Sequence, residues 1–316
     1  METTNQLYLA GRHVIKMAGN AIVGKDDVIV RVFLAIIARG HILLEDIPGV
    51  GKTTLAIAFS KALNLAYKRV QFTPDVLPSD VTGFSVFNKD TGRMDYTAGA
   101  VICNLFLADE LNRANSRTQS ALLEAMEEGQ VTVDGITYPI PQPFIVIATQ
   151  NPVGAAGTQL LPDSQMDRFM VRLSLGYPQH KDELSLLQRK QGANMLDSVH
   201  SVVTREVLEL MCKEVDRVHV APALLDYIVT LIEKTRNHPD LLLGASPRAS
   251  IALTSMSKAM AYLQGRDYII PKDITAVFAD TISHRLILRP GAENENITTS
   301  GILDGILRSV YAPRIV

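Results

Sequence analysis

The segment HILLEDIPGVGKTTL, residues 41–55, constrains the fold more than any other. An apolar run leads into a glycine turn, and helical spacing resumes at Leu55, Phe59 and Leu63. That order reads as strand, phosphate-binding turn and helix, the only context in which Gly-Lys-Thr carries much meaning. Upstream, Val28, Ile29, Val32, Phe33, Ile36 and Ile37 recur at helical spacing before Gly40 stops the pattern. Further apolar runs at Arg69–Phe72, Asn104–Ala108, Phe144–Thr149 and Val171–Leu175 alternate with helical stretches such as Ser116–Gly129. The expected fold is therefore α/β, with a largely parallel sheet and helices on both faces.

Two stretches interrupt this alternation. In GFSVFNKDTGRMDY, Asn88–Gly92 reads as a loop between strand-like arms, and in VTVDGITY the pair Asp134-Gly135 is a strong hairpin signal. Beyond Tyr177-Pro178 only helices are expected, over Asp182–Gln191, Thr204–Val215, Pro222–Arg236, Pro247–Gln264 and Pro271–Arg285. A chain of 316 residues can supply two cores, so the natural division is an α/β domain over 1–180 and a small all-helical domain over 181–316.

Composition narrows the function classes. Hydrophobic content of 47% with 20% charged residues describes a folded protein. The net charge of -2 disfavours a dedicated nucleic-acid binder. The apolar stretch Val28–Ala38 contains Arg31 and falls far short of the roughly 20 residues of a membrane span. The first residues, METTNQLYLA, lack the cationic and apolar regions of an export signal, so a cytoplasmic location is expected. Cys103 and Cys212 show no metal-ligand spacing and read as core thiols.

The polar residues at the strand ends suggest nucleotide chemistry. Gly49 and Gly51 flank Val50, so backbone N–H groups can converge on an anion at a helix N-terminus. Lys52 can then reach the β and γ phosphates, and Thr53 offers a hydroxyl to Mg²⁺. Asp46 stands where a phosphate loop normally opens with glycine, a position that enters the turn rather than touching phosphate. The run NLFLADE ends in Asp109, able to hold Mg²⁺ through water, and Glu110, able to polarise an attacking water. Spacing alone also allows this pair to be a helix start. In FIVIATQNP a buried strand ends in Thr149, Gln150 and Asn151, and Asn151 could hold the lytic water or merely form a turn before Pro152. Arg168 and Arg248 could stabilise phosphoryl-transfer charge or form ordinary surface ion pairs.

Taken together, HILLEDIPGVGKTTLA, LFLADELNRANSRTQSALLEAMEEGQVT, FIVIATQNP, LPDSQMDRFM and GASPRA resemble the MoxR family of AAA+ ATPases, over nearly the whole chain. The resemblance implies an AAA+ core with a helical lid. It implies a Walker A element with Gly49, Val50, Gly51, Lys52, Thr53 and Thr54 on ATP, and a Walker B element in Asp109 and Glu110, with Mg²⁺ on Thr53 and Asp109. Ile22 and Val23 match the adenine-packing position and Asn151 matches sensor 1. Arg248 matches sensor 2, reaching from the lid onto bound nucleotide. Arg168 matches an arginine finger entering a neighbouring subunit, and Arg113 and Arg117 are further candidates for the subunit interface. A ring, usually a hexamer, is implied, with the two hairpin inserts facing its pore. A protein client is implied too, often one with a von Willebrand factor A domain. The family also tolerates an acid at the position of Asp46.

Three other functions compete. They are a ring-forming motor on nucleic acid, a small-molecule kinase, and a scaffold that binds ATP without useful turnover.

Overall fold

The computed structural model describes residues 2–151, 161–190 and 195–314. The chain opens with helices α1 (Glu2–Gly19) and α2 (Asp26–Ile37), then strand β1 (Ile42–Glu45), α3 (Lys52–Ala62) and β2 (Tyr67–Gln71). A short helix α4 (Pro78–Thr82) leads into the hairpin β3 (Gly83–Asn88) and β4 (Arg93–Ala98). Next come β5 (Leu105–Asp109), α5 (Ser116–Glu128), the hairpin β6 (Gln130–Val133) and β7 (Ile136–Pro139), and β8 (Ile145–Gln150). The one-turn helix α6 (Asp163–Met166), β9 (Val171–Leu173) and α7 (His180–Lys190) complete the first part. The remainder contains α8 (Arg205–Arg217), α9 (Pro222–Arg236), β10 (Leu241–Leu243), α10 (Pro247–Leu263), α11 (Pro271–Ile282), β11 (Ile287–Leu288) and α12 (Thr299–Ser309).

The main sheet has the order β2-β5-β8-β1-β9 and every pairing is parallel. All residues of the central strands β5 and β8 are buried, because helices cover both faces and an unbroken apolar run fits such a position. Adjacent parallel strands with matched register bring Glu45 level with Gln150 and Gln71 level with Asp109. The polar residues that close those runs therefore share the carboxyl edge of the sheet, where ligands of such sheets bind. Both hairpins form as expected. In the second, Asp134 and Gly135 both take positive φ, the conformation a two-residue type I′ turn demands. The hairpins touch through Tyr96 and Tyr138, whose rings stack 3.8 Å apart.

The buried clusters divide differently from the chain. One joins α1, α2, α3 and one sheet face to α8–α12, with Phe33 stacked on Phe59. The other lies across the sheet, among α4, α5, the β6 and β7 hairpin and the α6 turn. The helical part thus shares its core with the helices before and after β1. It is also not purely helical, since β10 and β11 pair antiparallel. Strands of three and two residues give no readable alternation. Helices α1 and α12 were not expected either. Gly301 and Gly305 lower the intrinsic helicity of α12, and burial of Ile302, Leu303 and Ile306 overrides that preference. The expected helix over Pro271–Arg285 ends at Ile282 and tightens into a 3₁₀ turn, Ser283–Arg285. Gln191, the expected end of α7, lies outside the described residues. Cys103 and Cys212 are free and buried, and burial pushes their thiols up to about 12 and about 11.

Candidate functional site

The phosphate loop runs from the end of β1 to the start of α3. Gly49 and Gly51 take φ values of +88° and +99°, and a Cβ built on either would meet nothing within 4 Å. The loop is thus a left-handed backbone bent around open space, with room for an anion against its N–H groups. Lys52 is buried, and its Nζ donates to the carbonyls of Asp46 at 2.6 Å and Ile47 at 3.1 Å. Burial pushes its ammonium below the ordinary lysine value, opposed by the carboxylates of Asp46, Asp109 and Glu110. Asp46 has no positive φ, which is why a glycine is not required there. A cavity of about 930 Å³ opens over the loop, lined by Gly49, Val50, Gly51 and Thr54. Ile22 and Val23 form another wall, and Tyr177, Glu183, Leu186 and Leu187 a third. Apolar rims around a polar floor suit a purine above a polyphosphate.

Beside the loop, Asp109 ends β5 with Glu110 immediately after it, and Thr149 is the penultimate residue of β8. Thr149 Oγ1 donates to Asp109 Oδ1 at 2.6 Å and accepts the N–H of Glu110 at 2.8 Å. Arg69 on β2 holds the other Asp109 oxygen at 2.7 Å. Glu110 sits at φ +57°, a left-handed conformation disfavoured for a side chain of its size. Its carboxylate is fixed by Arg113 Nη1 at 2.9 Å and by Asn151 Nδ2 at 3.3 Å. The structure therefore brings Glu110 and Asn151 together, while Pro152 lies outside the described residues. Buried Asn112 Oδ1 has no partner next to this group.

The chemistry present fits MgATP. The cradle over Gly49 and Gly51 is open. No group of three metal-ligating side chains occurs among the described residues. One hydroxyl and one carboxylate, Thr53 and Asp109, suit a cation whose remaining ligands are phosphate oxygens and water.

The arginines lie elsewhere. Arg168 follows α6 in a turn, and its Nη1 donates to Leu123 O at 2.7 Å and pairs with Glu127 at 2.8 Å. Arg248 at the start of α10 pairs with the other oxygen of Glu127. Both line a cavity of about 290 Å³ with His41, Met126, Asp167 and Arg285. Arg248 lines this second cavity and not the one over the phosphate loop. The cause is how α10 is docked. Ser246, the residue before it, donates to both oxygens of Asp167 at 3.1 and 2.8 Å. Arg285, whose side chain is 3% exposed, also pairs with Asp167 at 2.8 Å and donates to Phe169 O at 2.8 Å. Arg113 belongs to the Glu110 group instead of the arginine face.

The ATPase family associated with various cellular activities, AAA_3, matches residues 41–171, and an AAA lid domain, AAA_lid_2, matches 233–306. The chain is 44% identical to the Bacillus subtilis protein YeaC over 95% of its length and 93% of that protein. It is 36% identical to Chaperone MoxR1 of Mycobacterium tuberculosis over 93% of its length and 80% of that protein. This chain belongs to the MoxR family of AAA+ ATPases. A crystal structure of a Cytophaga hutchinsonii protein, 39% identical, superposes on this MoxR-family chain with a TM-score of 0.92, covering 99% of this chain and 98% of that one. Within the MoxR-family fold, sequence reasoning missed Arg69, the role of Thr149 as a bridge, Glu127, and the Asp167–Arg285 pair. Arg69 and Asp109 are 40 residues apart and meet only through the β2–β5 pairing, so no linear signal marks them.

Proposed function

We propose that the chain is a Mg²⁺-dependent ATPase whose sites are completed between neighbouring copies in a ring, and that turnover drives remodelling of a protein client. The observation that carries this is the separation of parts: the glycine loop opens onto one cavity and Glu110 is held at the sheet edge by Arg113 and Asn151, while Arg168 and Arg248 converge on Glu127 at another cavity. A chain that holds half of the phosphoryl-transfer groups at each of two places is completed by a second copy. Both arginines then serve the neighbour's nucleotide.

Bound MgATP supplies the phosphoanhydride bond to be cleaved and the cation that neutralises its oxygens. Thr53 and Asp109 would hold that cation, and Lys52 would direct its ammonium to the phosphates. Glu110 accepts a proton from the attacking water, with Asn151 and Arg113 fixing the orientation of its carboxylate. Remodelling of a client rests on the family alone, as do a hexameric ring, von Willebrand factor A domain partners and pore-facing hairpins. Exposed Phe84, Val86, Phe87 and Met94 on the first hairpin are compatible with gripping a polypeptide. No helix among the described residues is long and apolar enough to cross a membrane.

The test is phosphate release from Lys52→Ala and Arg168→Ala chains, alone and mixed under conditions allowing subunit exchange. Each alone is expected to be inactive. The mixture regains activity, because the first lends its arginine to the intact pocket of the second. A silent mixture of folded variants would overturn the shared site.

A further inference from the structure

The carboxylate of Asp46 is the most heavily engaged side chain of the phosphate loop, yet none of its contacts faces the cavity. Its Oδ2 accepts the Oγ of Ser174 at 3.1 Å, the N–H of Gly176 at 3.0 Å, and the N–H of Leu175 at a still shorter distance. The residue is 6% exposed, so these donors replace nearly all of its hydration. Its carbonyl, at the same time, accepts from Lys52 Nζ. One residue therefore touches the phosphate-directed lysine with its backbone and the strand that leaves the sheet with its side chain.

The segment it holds leads directly to the far wall of the cavity. Gly176, at φ +61°, turns the chain after β9, and Tyr177 follows, with its carbonyl held by Lys25 at 2.8 Å. Helix α7 then contributes Glu183, Leu186 and Leu187 to the lining. Its start also abuts the opposite wall, since a Cβ on Gly24 would collide with the Asp182 carboxylate. Movement of Lys52 toward phosphate must change the load on the Asp46 carbonyl. The same residue fixes where α7 begins.

We infer that Asp46 is a positioning residue that couples the phosphate loop to the Ser174–Gly176 turn, setting α7 against the nucleotide. Glycine at this position would leave the turn unanchored and two backbone N–H groups without their acceptor. The acid is thus a functional part of this loop and more than a tolerated substitute. The inference rests on the ATPase reading above.

Three substitutions test it, with ATP affinity and hydrogen exchange of residues 177–187 as readouts. Asp46→Ala and Asp46→Gly are each expected to weaken ATP binding about tenfold, and ATP then protects 177–187 less even at saturation. Asp46→Asn keeps an oxygen acceptor and is expected to stay within about threefold of the wild type. A purely structural role would lower the melting temperature and leave affinity and ATP-induced protection intact in the folded protein. Asp46→Gly binding as well as the wild type would overturn the inference while the ATPase reading stands. If the Asp46 variants do not fold, Ser174→Ala removes a single donor. It should weaken binding about twofold and reduce the protection, and unchanged values for both would again overturn the coupling. A wild type that does not bind ATP would instead sink the ATPase reading itself.

Discussion

The two halves of the proposed nucleotide machinery are built in different ways. At the sheet edge, Asp109, Glu110, Thr149 and Asn151 hold one another through bonds that run strand to strand, with Arg69 and Arg113 as fixed counter-ions. At the other site, Arg168 and Arg248 share one carboxylate, Glu127, which is 39% exposed, and buried Arg168 Nε and Gln165 Oε1 lack partners. The first arrangement is preorganised and costs little to use. The second holds its cations at a partly solvated carboxylate, where exchange for another anion costs little. A group that must act at a fixed geometry sits in the first, and a group that must change partners sits in the second.

The sharpest way to break this contrast is to remove one group from each half. Arg168→Ala is expected to lower kcat about 10³-fold, and Glu110→Gln at least about 10²-fold. ATP affinity of the isolated chain should survive both, because neither side chain is part of the phosphate cradle, whereas Lys52→Ala should weaken it. Binding measured by calorimetry beside phosphate release separates these outcomes. Equal binding losses in Glu110→Gln and Lys52→Ala would show that the sheet edge is a binding surface and not a catalytic one.

Next in size is the clamp that places the arginine half. Arg285 is buried with its guanidinium on Asp167 and on backbone carbonyls, and Asp167 also holds Ser246. Arg285→Met leaves that carboxylate without its cation and should cost about 3–5 kcal/mol in denaturant unfolding. Any folded fraction should lose ATPase activity and retain ATP binding, since Arg168 and Arg248 flank the clamp and the phosphate loop does not. Loss of binding in parallel would mean that the two halves are not mechanically separate.

This clamp also explains what could and could not be read in the sequence. Asp109 and Asn151 were legible because each closes an apolar run, and in a parallel sheet the end of a strand is also the edge where ligands bind. Asp134-Gly135 and the helix over Ser116–Glu128 were legible from local chemistry, the latter reinforced by the cap from Asn115 to the Thr118 N–H. The position of Arg248 was not, because it depends on Arg285 meeting Asp167 from 118 residues away. The shared core of α1–α3 with α8–α12 was hidden for the same reason: helical spacing marks a buried face without naming what covers it.

Acid should loosen the junction between the halves before it alters the chemistry. His41 Nε2 faces Met126 O at 3.1 Å, and its Nδ1 accepts the N–H of Val146 at 3.0 Å, so the ring is neutral. Burial pushes it down to about 4 from an ordinary value of 6.5. Buried His284, bonded to Phe169 O, is pushed well below 6.5 by burial and by Arg285. Between those limits the unfolded chain binds more protons than the folded one. The stability these histidines contribute is therefore constant above about pH 6.5 and falls as pH drops toward 4, by up to about 3 kcal/mol for His41. Urea midpoints at pH 7 and 4.5 measure this, and His41→Gln should flatten the difference.

The smallest effect sharpens the comparison most. Glu127→Gln removes the charge shared by Arg168 and Arg248 but keeps an oxygen acceptor. The pairs are partly exposed, so stability should change by less than about 1 kcal/mol. If Glu127 only parks the arginines until a neighbour's phosphate replaces it, hydrolysis in the assembled protein should be unchanged or faster, and self-association with ATP should need less protein. If hydrolysis falls as far as in Arg168→Ala, Glu127 holds the arginines in their working geometry. The arginine face would then be as preorganised as the sheet edge, and the contrast between the two halves would disappear.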